Sequence, residues 1–70
     1  MKVYKIKDTK TGLYSLGGNY FAWDKDGKIF ETIQSTRHHI KMFNNLSVER
    51  YKNAVIEEYE LVLVNSNIKI

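Results

Sequence analysis

A chain of 70 residues makes one domain (residues 1–70), near the low end of the size that buries enough surface, roughly 60%, to fold alone, and its 43% hydrophobic side chains argue against wholesale disorder. There is no cysteine, which excludes a disulfide framework and a thiolate zinc site, so stability must come from packing, either within the chain alone or with a homodimer interface added. The net charge of +3 is uneven: residues 1–42 hold eight Lys/Arg against four Asp/Glu (+4) and residues 43–70 hold three against four (−1), a bias that solubility alone explains.

Met1 to Asp8 alternate charge with apolar side chains and lack the uninterrupted apolar run of a signal peptide. The longest apolar run, Leu61 to Val64, is far short of the roughly 20 residues that cross a bilayer. A cytoplasmic protein without a membrane segment is expected.

Lys2 to Lys7 reads as a strand with Tyr4 and Ile6 on one face and Val3, Lys5 and Lys7 on the other. Asp8 to Gly12 has the composition of a tight turn, which returns the chain antiparallel through Leu13 to Leu16. Gly17-Gly18-Asn19 breaks that strand, and Tyr20 to Trp23 resume it before a second turn at Asp24-Lys25-Asp26-Gly27. Lys28 to Ile33 is the expected partner strand. The period then changes: Ser35 is the expected N-cap of a short helix, with Thr36, Ile40 and Phe43 on its buried face and Asn44-Asn45 at its end. Ser47 is read as the cap of a helical turn over Val48 to Asn53. From Ala54 to Val64 the pattern is β again. Leu61 to Val64 are apolar on both faces, which predicts a central strand beneath the helix, and a last short strand is expected over Ile68 to Ile70. The fold class is therefore α+β: a small antiparallel sheet of about four to six strands with one short helix on one face, in the order ββββαβ.

No constellation points to catalysis. Asp24 to Gly27 opens like a calcium loop, but its glycine comes too early, and Lys28 and Phe30 fall where ligands belong. His38 and His39 are adjacent, hence about 100° apart on a helix, and cannot chelate one metal between them. His39 falls beside the Phe43 stripe and is expected to be partly buried, with His38 in solvent. No serine lies in a Gly-x-Ser-x-Gly elbow, no glycine-rich loop ends in Lys-Ser or Lys-Thr, and Glu57 and Glu58 alternate faces on a strand. A non-enzymatic protein with no cofactor and no metal is expected.

The features suited to binding are aromatic and basic. Tyr4, Tyr14, Tyr20, Phe21, Trp23 and Phe30 interleave with Lys5, Lys7, Lys25 and Lys28. Such a face either builds the core or stacks bases. Tyr20 and Trp23, beside the glycine loop, are the aromatics expected to stay partly exposed, and Arg37, His38 and Lys41 make a basic helix face. These five are the candidate partner-binding residues. Glu57, Glu58 and Glu60 are read as an acidic edge that discourages strand pairing.

Val3 to Asp8, Lys10-Thr11-Gly12-Leu13-Tyr14-Ser15, Gly17-Gly18, Trp23, Gly27 to Phe30 and the basic helix around Arg37 to Ile40 together resemble small uncharacterised proteins of bacteriophage genomes. The resemblance implies a host-takeover or counter-defence factor that binds and blocks one bacterial protein, with an anti-CRISPR-like inhibitor as its sharpest form. Two alternatives stay open: a small nucleic-acid-binding module using the basic, aromatic sheet and helix surface, and a homo-oligomeric structural protein.

Overall fold

A computed structural model describes residues 1–18, 22–46 and 49–70. Among them are β1 (Lys2–Asp8), β2 (Tyr14–Ser15), β3 (Trp23–Asp24), α1 (Ile33–Leu46) and β4 (Ala54–Glu60). The strands form one antiparallel sheet in the order β3-β2-β1-β4, so the fold is a small α+β domain.

The turns form as their chemistry requires. Asp8 Oδ2 accepts from the Thr11 backbone N–H at 2.9 Å and from its hydroxyl at 2.8 Å, which closes the turn into β2. At the second turn Asp24 Oδ1 accepts from the N–H groups of Asp26 and Gly27. Gly27 is obligatory on two counts: its φ is 74°, and a Cβ there would lie 2.3 Å from Tyr14 Cβ.

After Gly27 the chain departs from the expected hairpin. Lys28 N–H donates to the Ser15 carbonyl, and only Phe30 pairs further, exchanging two 2.8 Å backbone bonds with Tyr4 of β1. Thr32 ends the extended stretch because its hydroxyl accepts from Ser35 N–H at 3.0 Å. The N-cap is thus Thr32, three residues before the expected Ser35, and Ile33 opens the helix instead of closing a strand. The helix runs past Asn44-Asn45 to Leu46. The expected cap Ser47 and Val48 lie outside the described residues, and Glu49 to Asn53 form a turn, with Glu49 at φ 55°.

The sheet separates its two faces as the alternation in β1 predicts. Tyr4 and Ile6 point toward α1 and are buried, Ile6 completely. They meet Phe30 and Tyr51, with Trp23, Ile33, Ile40, Phe43, Ala54 and Ile56 packed around them. Thr36 is buried on the same helix face, its hydroxyl returned to the Thr32 carbonyl at 2.8 Å.

The C-terminal stretch corrects two expectations. The β1–β4 register pairs Lys2 with Glu60, and the ladder ends where Leu61 N–H donates to the Met1 carbonyl at 2.7 Å. From Val62 onward no strand lies alongside among the described residues, so Leu61 to Val64 form an exposed arm and not a central strand beneath the helix. Ile68 to Ile70 are exposed too and form no strand, and Asn65 to Asn67 make a turn in which Asn65 Oδ1 accepts from Asn67 N–H.

Candidate functional site

Helix α1 is held on its inner side by Thr36, Ile40 and Phe43, which sends Arg37, His38 and Lys41 outward into solvent on one face, as expected. Trp23 does not join them. It is half-buried, edge-on to Tyr51 at 5.6 Å between ring centroids, and lines a groove of about 210 Å³ with Asp8, Thr11, Leu13 and Asn53. Tyr20, expected to share the Trp23 surface, lies outside the described residues. Of the two candidate surfaces, Arg37, His38 and Lys41 share one helix face, and Trp23 lies apart from it, in the core and its groove.

His39, the other histidine, turns inward to a chain of polar groups. Its Nε2 lies 2.6 Å from the Tyr51 hydroxyl, which lies 2.9 Å from Ser15 Oγ, and Ser15 Oγ accepts from Gly17 N–H at 3.0 Å. Arg50 closes the group, donating Nη1 to the Gly18 carbonyl and Nη2 to the Gly17 carbonyl, each at 3.0 Å, with its guanidinium over the rings of Phe43 and Tyr51. Burial pushes the His39 pKa below the ordinary imidazole range, and the positive charges of Arg50, Lys28 and His38 push the same way. Burial pushes the Tyr51 phenol up. Histidine, hydroxyl and serine side by side resemble a catalytic relay in composition, but Ser15 is fully buried and no reacting group can reach it. The chain of bonds instead ties α1, β2, the glycine pair and the turn before β4 to one another.

The sheet face away from α1 carries a second polar cluster. Glu57 Oε1 accepts from the hydroxyls of Tyr14, at 2.7 Å, and Tyr59, while Oε2 pairs with Lys7 Nζ at 3.7 Å. Lys5 Nζ stands 5.1 Å from the Tyr14 ring centroid. The two hydroxyls and Lys7 hold the Glu57 carboxyl below the usual carboxylate range, and the bond to Glu57 pushes the Tyr59 phenol upward. Glu57, expected only as part of an acidic edge, instead gathers the cluster on the sheet face, while Tyr59 and the interior pair Arg50–Tyr51 are not marked by anything local in the sequence. Their partners lie 36 to 45 residues away in the chain for the Tyr51–Ser15, Glu57–Tyr14 and Tyr59–Tyr14 contacts.

Among the described residues no cluster of His, Cys, Asp or Glu has the makings of a metal site, and no helix is long and apolar enough to cross a membrane. No family model, curated protein or solved structure matches the chain.

Proposed function

We propose that the chain is a stoichiometric protein-binding factor of phage type that occupies and blocks a bacterial host or defence protein, with inhibition of a CRISPR effector as the sharpest form. The observation that carries the reading is the rigidly seated helix α1. Its inner face is locked into the core, and its outer face offers Arg37, His38 and Lys41 to solvent as a fixed basic platform for an acidic protein surface. The resemblance to phage proteins supplies the direction of the proposal, and a cytoplasmic setting in the bacterial host follows from it. The inward turn of His39 and the burial of Ser15 favour binding over catalysis, since both groups are committed to structure.

The test is affinity capture from bacterial lysate with the wild-type chain and with the Arg37→Glu/Lys41→Glu double variant. Wild type retains one specific protein and the variant loses it; equal retention by both, or retention of nothing specific, rejects the reading. A second reading, nucleic-acid binding, draws on Lys5, Lys7, Tyr14 and Tyr59, which share the open sheet face. Glu57 in their midst opposes a phosphate backbone there. Absence of a gel shift at low salt, where released counterions favour binding most, eliminates it.

A further inference from the structure

The arm that leaves β4 exposes Leu61, Val62, Leu63 and Val64, the last at 94% of its full accessibility. The molecule is correspondingly too large for its mass. A folded monomer of 8.2 kDa is expected to expose about 4500 Å² and a 70-residue domain to have a radius of gyration of about 11 Å. This chain exposes 5498 Å², has a radius of gyration of 13.7 Å and measures 46 Å along its longest axis against 23 and 21 Å across. The surplus of about 1000 Å² matches the roughly 800 Å² that each partner contributes to a standard protein interface.

We infer that residues 61–65 pair antiparallel with the same residues of a second copy of this chain, about a two-fold axis at Leu63, so that two four-stranded sheets join edge to edge. Three features select a second copy. First, β4 pairs with β1 alone, so its other edge is open among the described residues. The ladder bond from Leu61 to Met1 fixes the alternation: odd-numbered residues of β4 aim their backbone groups at β1, and the same alternation carried into the arm leaves Val62 and Val64 aimed at the open edge. A two-fold at Leu63 sets Val62 of one copy against Val64 of the other as a bonded pair, with the two Leu63 side chains face to face.

Second, charge permits this register and opposes its neighbours. Sliding the pair so that β4 lies along β4 would bring Glu57, Glu58 and Glu60 of both copies together. Centring on Leu63 instead keeps those carboxylates outside the paired segment, at an end where residues 66–69 of the other copy carry Lys69 and no acid. Third, the turn at Asn65 to Asn67 lies at the outer end of the pairing segment, where it limits the ladder to the apolar run. The acidic stretch thus acts as a register guard, and the apolar stretch as the contact.

Sedimentation of the full chain at tens of micromolar is expected to give twice the 8.2 kDa of one chain. Leu63→Lys is expected to weaken the dimer on the order of 30-fold or more, since it places two cations at the centre of the contact, with unchanged circular dichroism. Because the chain has no cysteine, Leu63→Cys provides an independent readout: facing residues of an antiparallel pair lie within disulfide range, so mild oxidation yields a covalent dimer, while Ile29→Cys, also exposed but off the arm, does not. A monomer at tens of micromolar, a dimer that survives Leu63→Lys, or cross-linking no better than the Ile29→Cys control overturns the inference. The interface is separate from the basic helix face, so Arg37→Glu/Lys41→Glu leaves the dimer intact whatever that face binds.

Discussion

The interior of this protein and its C-terminal arm invert the usual division of labour. Fully or largely buried positions include Ser15, Thr36 and Arg50, whereas the most apolar run, Leu61 to Val64, stands in solvent. The contrast teaches that burial follows the availability of a partner surface more than hydrophobicity. Ser15, His39 and Tyr51 are tolerated inside because each satisfies another, and an unpaired polar atom there would cost about 1–3 kcal/mol. Leu61 to Val64 remain outside because the ladder beside them has ended.

Breaking the packed side of this contrast has the largest effect. Ile6→Ala, at the one apolar residue with no exposed surface among the described residues, is expected to cost about 2–5 kcal/mol, much of the roughly 4–10 kcal/mol available to a domain of this length, and urea denaturation measures it. Tyr51→Phe keeps the ring contacts and strips the hydroxyl that joins His39 to Ser15; a loss of about 1–3 kcal/mol is expected by the same assay.

Acid sharpens the comparison through His39. Its native pKa lies below its ordinary value, so the unfolded chain binds the proton more readily. Stability is therefore full above about pH 6.5 and declines as pH falls below that, before the depressed carboxyls of Asp8 and Glu57 add their own losses below about pH 4.5. A His39→Gln variant is expected to lose the first decline and keep the second in melting curves taken across that range. The smallest effect lies on the arm: at dilutions where the chain is monomeric, Leu63→Ala should alter the unfolding free energy from urea denaturation by no more than about 0.5 kcal/mol, although the same type of truncation at Ile6 is severe.

The parts legible in the sequence are those governed by neighbours in the chain. The alternation of β1, the Asp8 and Asp24 turns and the Thr36, Ile40, Phe43 stripe depend on spacings of two, three and four residues, and all are present. The inward His39 and outward His38 follow from the same helical geometry. The strand expected over Lys28 to Ile33 failed because Thr32, a β-branched residue with good strand propensity, serves as a cap instead. Leu61 to Val64 misled for a deeper reason: a run apolar on both faces looks the same whether its cover comes from its own chain or from another. The polar cluster of Arg50, Tyr51 and Ser15 was invisible because only the fold brings those positions together.

The position of β4 also governs how the molecule comes into being. The most extensive strand pairing joins β1 to β4, with Lys2 against Glu60 and Asp8 against Ala54, so its contacts span 46 to 58 residues. Pairings so distant close their loops late and place the domain among slow folders for its size, on the millisecond-to-second scale typical of non-local β topologies. On a ribosome the edge of β1 that takes β4 must wait, unpaired, until residues 54–60 have been made. The lysines of β1, at every second or third position from Lys2 to Lys7, keep that waiting segment soluble in the meantime.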